Sequence, residues 1–204
     1  MDSDDDNAQL HHSGWTSSSE DDEDSHEVVA VTPYSRITRH EHSIPIARKR
    51  LLPGRRQPHD PLRELRILQM IRESSRQNQS HNPNVIPLIS YEEFPNGRIT
   101  LDFPLQETDL KQVYQTRKSM LVKDADQTRF IIQRFLEILS ALEWIHKLGI
   151  IHRDVNPSNI FLSYDLREPA FLGDFGISWV ENYPDDYDEG MDKYSSGVGT
   201  GYNN

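Results

Sequence analysis

The chain has no cysteine among its 204 residues. Disulfide staples and thiolate metal sites are therefore excluded, and the chain fits a reducing compartment without requiring one. Long apolar runs are also missing. None approaches the roughly 18 residues of a membrane span, and the acidic start has no apolar core of the kind a secretory signal needs. The expectation is a soluble intracellular protein, in the nucleus or cytoplasm, with no membrane partner. Lysine and arginine are absent from residues 1–27, which hold ten of the 33 Asp and Glu. The other 23 acidic residues nearly balance the 22 basic ones, so the net charge of -11 belongs to a tail and says little about the folded part. Glycine does not occur between Gly14 and Gly54, a gap that matters below.

What remains is organised in three stretches. Residues 1–26 combine like charges with serines and have almost nothing to bury, the composition of a disordered acidic tail. Ser17, Ser18 and Ser19 stand directly before Glu20 to Asp24 and would suit an acid-directed kinase, although a merely solubilising tail is the better reading of the composition. From Glu27 the β-branched, partly alternating VVAVTPYSRITR and SIPIARKRL read as strands. Pro61 then opens a helix, PLRELRILQMIRES, whose apolar face carries Leu62, Leu65 and Leu68, with Met70 and Ile71 nearby and with Arg63 and Glu64 off that face. NVIPLISYEEF and RITLDFPL read as two strands joined by a turn at Asn96-Gly97. A third stretch begins with the polar, helical TDLKQVYQTRK and a clearer helix over residues 126–147. The broad apolar face of that helix runs from Phe130 through Ile131, Phe135, Leu136, Ile138, Leu139 and Leu142 to Ile145. Gly149 ends it, short strands follow, and from Trp179 onward the chain is irregular and acidic.

The chemistry is concentrated in IHRDVNPSNIFL, residues 151–162, where His152, Arg153 and Asp154 interrupt an apolar sequence and Asn159 follows. This is H-R-D-x-x-x-x-N, and Asp174-Phe175-Gly176 begins fifteen residues after Asn159. Four fixed residues at fixed spacing would arise by chance in about one such chain in a thousand, before the second motif is counted.

On these motifs the chain resembles the eukaryotic protein kinase family, and in detail the cyclin-dependent kinases and the kinases that activate them. The resemblance implies an α+β, protein kinase-like two-lobed fold: a small β-sheet N-lobe with one helix over residues 27–106, and an incomplete helical C-lobe over 107–204. It implies ATP and Mg²⁺ as cofactors, and a protein substrate, with a cyclin-dependent kinase as one candidate and a cyclin as a possible partner. By the match, Asp154 accepts or orients the proton of the substrate hydroxyl, while Asn159 and Asp174 hold Mg²⁺, a hard cation that prefers oxygen. His152 and Arg153 are structural, with Arg153 able to pair with a phosphate or carboxylate of the activation segment. Ile46-Ala47-Arg48-Lys49 loosely matches V-A-I-K and puts Lys49 on the phosphates, and Arg63-Glu64 then makes Glu64 the partner of that lysine. ITLDFPLQETDL resembles the hinge strand, with Phe103 as gatekeeper, the Pro104 carbonyl and Gln106 N–H on adenine, and Asp109 on the ribose. Serine/threonine specificity is implied by Pro157-Ser158-Asn159 and by Gly199-Thr200-Gly201. The basic run ARKRLLPGRR falls on the lysine strand, so no nucleic-acid partner is expected.

Three departures stand out. No glycine-rich loop precedes Lys49, and VAVTPYSRITR would form a hairpin without close backbone approach to phosphates. Asn156 occupies the position where the family carries a lysine, a loss of about 10²–10³ in rate by analogy with removal of one oxyanion donor. The Ala-Pro-Glu motif and the helices after it are absent beyond GVGTGYNN, which leads to the expectation of a truncated product or fragment with exposed apolar surface on residues 126–147. Ser195 and Ser196 are phosphorylation candidates, and Asp185, Asp186, Asp188, Glu189 and Asp192 offer standing charge for Arg153 or merely a solvated loop. A catalytically weak or inactive kinase-like binding or regulatory module is the alternative function.

Overall fold

The computed structural model describes residues 26–54, 58–77, 84–117, 125–163 and 168–181. The acidic tail with Ser17 to Ser19, and the stretch carrying Ser195, Ser196, Thr200 and the acidic run 185–192, lie outside them. The α+β, two-lobed arrangement expected from the motifs is the one seen. Strands β1 (Val28–Val31), β2 (Ser35–His40) and β3 (Ile46–Leu51) run up and down, followed by helix α1 (Pro61–Gln77) and by β4 (Ser90–Glu93) and β5 (Ile99–Pro104). These strands form one antiparallel sheet in the order β1-β2-β3-β5-β4. Next come β6 (Thr108–Asp109), α2 (Leu110–Arg117), α3 (Ala125–Lys147), β7 (Ile150–Ile151), β8 (Ile160–Leu162), β9 (Phe171–Leu172) and β10 (Trp179–Val180). Strand β6 pairs with β8 and β8 with β9, while β10 pairs with β7.

Local chemistry accounts for the element ends. Asp60 caps α1, its Oδ1 accepting from the Leu62 and Arg63 N–H groups at 3.1 Å each, and Pro61 occupies a first-turn position that needs no N–H. Gly97 takes a φ of +79° at the β4–β5 turn. Gly149 closes α3 at φ +72°, donating its N–H to the His146 carbonyl at 3.0 Å.

Three readings from the sequence need correction. Arg63 and Glu64 do not lie off a buried face: both are buried, whereas Leu62 points to solvent. The apolar run from Val85 to Leu88 is not strand. It plugs the junction between the two lobes, with the Ile86 N–H donating to the Leu172 carbonyl at 2.9 Å. Trp179 and Val180 are not irregular but form β10. The apolar surface expected to be exposed on α3 is exposed: Ile138, Ala141 and Ile145 enter the core, but Ile131, Phe135, Leu136 and Leu139 face solvent, as does Ile132 beside them.

One core runs through both lobes, from Leu51, Leu68 and Leu101 under the sheet to Ile145, Ile150 and Leu172 beneath the helices. Among the described residues no helix is long and apolar enough to cross a membrane. The division of α3 generates a direct test. Ile145→Ala should lower the unfolding free energy by about 2–5 kcal/mol, as for other buried aliphatic truncations. Leu136→Ala, at a side chain 58% exposed, should change it by no more than about 0.5 kcal/mol. Urea unfolding followed by circular dichroism measures both, and equal losses would contradict the division.

Candidate active site

Lys49 projects from β3, a strand paired on both sides, with Ile37 of β2 and Leu101 of β5 as its register partners. Its Nζ donates to Glu64 Oε1 of α1 at 2.7 Å and to Asp174 Oδ1 at 2.8 Å. Burial by itself would draw the ammonium down, but the charges of Asp174 and Glu64 outweigh it and hold the Lys49 pKa above its usual range. The carboxylates respond in opposite directions. Lys49 pulls Asp174 down to about 2, against burial, which by itself would raise it. Burial pushes Glu64 up, and the neighbouring Asp174 charge adds to it against Lys49. The three groups form a single unit of two anions sharing one cation.

Asp154 sits on a loop fixed by backbone and imidazole. The Asp154 N–H donates to His152 Nδ1 at 3.2 Å, which assigns the imidazole proton to Nε2, and Nε2 donates to the Gly173 carbonyl at 3.0 Å. The ring is buried, packs edge-on against Phe175 and is held neutral, below its ordinary pKa, by that burial. Arg153 Nε donates to the Ile177 carbonyl at 2.7 Å, which ties the loop to the chain after Gly176. The Asp154 carboxylate accepts from Asn156 Nδ2 at Oδ1 (3.1 Å) and from Asn159 Nδ2 at Oδ2 (2.9 Å). Arg153 and Asp174 both have φ near +60°, 64° and 61° respectively. Non-glycine residues hold that region at a cost of about 1–3 kcal/mol only where neighbours over-determine them.

A cavity of about 200 Å³ opens among Thr32, Tyr34, Lys49, His59, Asp154 and Asp174. Two oxygens near it suit a hard divalent cation. Asn159 turns its amide nitrogen onto Asp154, and its Oδ1 has no hydrogen-bond donor among the described residues. Asp174 meets Lys49 and the Gly176 N–H through Oδ1 alone, leaving Oδ2. One or two protein oxygens, completed by phosphate and water, are what Mg²⁺ commonly takes, so the absence of any cluster of three His, Cys, Asp or Glu among the described residues does not conflict.

The structure thus brings Lys49, Glu64, Asp154, Asn159 and Asp174 together. The hinge residues lie apart from the cavity: Phe103 and Pro104 end β5 opposite Ala47 and Ile46, and Gln106 follows them. Asp109 caps α2, with both carboxylate oxygens taken by Gln112, from its N–H and its Nε2, at 2.8 Å each. His59 carries no motif and lies in a polar stretch, so sequence reasoning missed it. Its one legible signal is its place five residues before Glu64. Gly176 packs closely here: a Cβ there would lie 3.0 Å from His59 Nδ1 and 3.2 Å from Asp174 Oδ1, so those side chains would have to give by a few tenths of an ångström.

A family model described as the protein kinase domain matches residues 34–202. The chain is 32% identical over 147 residues to mitogen-activated protein kinase 15 of Caenorhabditis elegans, a match covering 72% of this chain and 28% of that protein. It is 42% identical over 67 residues to serine/threonine-protein kinase csk1 of Schizosaccharomyces pombe, covering 33% of this chain and 21% of the relative. It is also 44% identical over 73 residues to the eIF-2-alpha kinase GCN2 of the same yeast, covering 32% of this chain and 4% of the relative. The chain therefore spans well under two thirds of each of these proteins.

Lys49→Ala should destabilise the chain by about 3 kcal/mol or more at pH 8, because it leaves a buried carboxylate without its cation. The cost should shrink on acidification. In the variant the Glu64 pKa rises further above its ordinary value of 4.5, so its neutral form favours folding below that value and the benefit is lost as pH rises through the folded pKa. Urea midpoints of wild type and variant at pH 5 and pH 8 test this, and a gap that widened at pH 5 would contradict it.

Proposed function

We propose, on the premise that this chain belongs to the protein kinase domain family, that it acts as a serine/threonine kinase domain of the cyclin-dependent or CDK-activating type. The observation that carries the proposal is the convergence of Lys49, Asp154 and Asp174 on one cavity, with Lys49 held by Glu64 and Asn159 bonded to Asp154 beside it. The serine/threonine kinases among its relatives support the same reading.

When bound, Mg-ATP would supply the transferable γ-phosphoryl group and the metal charge that neutralises the phosphate oxygens. Lys49 places an ammonium at the phosphates and is kept charged by its two carboxylates. Asn159 and Asp174 offer oxygen to the metal. Asp154 has both oxygens fixed by amides, so its carboxylate is aimed to accept the proton of a substrate hydroxyl. Phe103, Pro104 and Gln106 would line the adenine end, and Asp109 would reach the ribose only by giving up a bond to Gln112. The finer type rests on the likeness of Arg63-Glu64 and of the hinge strand to cyclin-dependent kinases. It brings with it a protein substrate, among them a cyclin-dependent kinase, a cyclin partner, and a place in the nucleus or cytoplasm.

Two observations favour a weak or inactive binding module as the second reading. Asn156 stands where the family places a lysine, and it spends its amide on Asp154. The hairpin over the cavity has no glycine.

Mg-ATP at a hundredfold over its dissociation constant should stabilise the wild type by about 2.7 kcal/mol and leave Asp174→Ala unmoved. A thermal-shift series measures this, and no shift in the folded wild type would overturn the nucleotide reading. Asn156→Lys should raise phosphotransfer to a peptide by about 10-fold or more. An unchanged rate would show that the missing ammonium is not what limits turnover.

A further inference from the structure

The glycine-free hairpin raises a question of donors. Phosphates in a nucleotide pocket are ordinarily met by free backbone N–H groups of a closely approaching loop, and here the turn between β1 and β2 has none to give. The Thr32 N–H donates to the Ser35 carbonyl at 2.8 Å, and Pro33 has no N–H. The Tyr34 and Ser35 N–H groups both donate to Thr32 Oγ1, at 3.2 and 3.0 Å. The start of α1 is equally occupied, because Asp60 takes the Leu62 and Arg63 N–H groups through its carboxylate and the Glu64 N–H through its carbonyl. Among the described side chains that line this end of the cavity, Lys49 is therefore joined by one further nitrogen donor, the imidazole of His59.

His59 is half-buried, lines the cavity beside Asp174 and Asp154, and stacks on the Tyr34 ring with centroids 3.8 Å apart and planes 20° from parallel. Among the described residues no hydrogen bond reaches its ring nitrogens. The stack also fastens the hairpin tip, which is held from its other side by the Leu52 N–H donating to the Tyr34 carbonyl at 3.0 Å. The cavity, about 200 Å³, falls below the roughly 300–1,000 Å³ of clefts that enclose whole small-molecule ligands. Its size, with the Lys49 and His59 side chains on its wall, suits part of a ligand such as a phosphate chain.

We propose that His59, oriented by its stack on Tyr34, is a phosphate-binding residue that supplies by side chain the hydrogen bond a glycine-rich loop would supply by backbone. The ligand class is a nucleoside di- or triphosphate. A neutral imidazole already has one N–H, so no change of charge is required. This assignment rests on the nucleotide reading above and deepens it.

The test compares adenosine, ADP and ATP, each with Mg²⁺, by calorimetry on wild type, His59→Phe and His59→Gln. Phenylalanine keeps the stack without a donor, and glutamine keeps a donor without the stack. His59→Phe should weaken ATP and ADP by about tenfold or more while adenosine stays within about twofold, and His59→Gln should recover part of the ATP affinity. Should His59→Phe not fold, His59→Ala takes its place. ATP binding as tight as wild type in the donor-free variant, an equal loss of adenosine, or no recovery in folded His59→Gln would overturn the role of His59 and leave the nucleotide site standing. A wild type that binds none of the three ligands would remove both together.

Discussion

The Lys49 ammonium lies between Glu64 and Asp174 at 2.7 and 2.8 Å, and three separate pieces of chain meet there: a central strand, the first turns of α1 and the segment before Phe175. An isolated charge in such a place would cost several kcal/mol, and only close partners offset it. Each piece is therefore held by the other two. The arrangement also leaves the cavity with excess negative charge. Among the described residues that line it, Glu64, Asp154 and Asp174 face a single ammonium, so on the proposed reading phosphates would enter with additional positive charge or onto donors already aimed at them. That imbalance is a physical reason for a divalent cation at Asn159 and Asp174, independent of any likeness to other proteins.

The second constraint is the coupling of Asp154 to Asp174. His152 uses one nitrogen to accept from the Asp154 N–H and the other to donate to the Gly173 carbonyl. Ser178 Oγ donates to the His152 carbonyl at 2.9 Å, and the Gly173 N–H donates to the Asn159 carbonyl at 2.9 Å. A Cβ on Gly173 would come within 2.7 Å of the Phe161 ring, so the two segments pack as closely as backbone permits. The carboxylate proposed to accept a proton and the carboxylate proposed to hold a metal thus move as one body. That is the requirement when catalysis depends on positioning more than on covalent chemistry.

What could be read from the sequence was what is local. His152 to Asn159 and Asp174 to Gly176 are contiguous runs whose spacing survives any folding, and the periods of α1 and α3 announce helices. What could not be read depends on partners distant in the chain. Helix periodicity alone puts Glu64 off the apolar face, and only the family resemblance pairs it with Lys49; it is buried because that lysine waits fifteen residues earlier. Val85 to Leu88 have the content of a strand, yet their backbone pairs with Leu172, far along the chain. The two-residue strands β7 and β10 exist only because Ile150 and Ile151 lie beside Val180 and Trp179. His59 fell outside every motif because its meaning comes from Tyr34, which folds over to meet it.

The hairpin connects the two functional readings. A glycine-rich loop is mobile and can follow phosphates as they shift during transfer, whereas this turn is closed on itself by Thr32 and fastened by Tyr34 to His59 and to the end of β3. A fixed donor recognises a ground-state phosphate well but cannot strengthen its contact as charge moves, and only contacts that strengthen in the transition state raise the rate. Asn156 acts in the same direction, since it holds Asp154 in place but brings no charge to the transferred group. On the proposed reading, binding and turnover would depend on different, identifiable residues of this site. An active kinase domain and a nucleotide-holding module are then two ends of one physical variable, the positive charge and loop freedom available when the phosphoryl group is in transit.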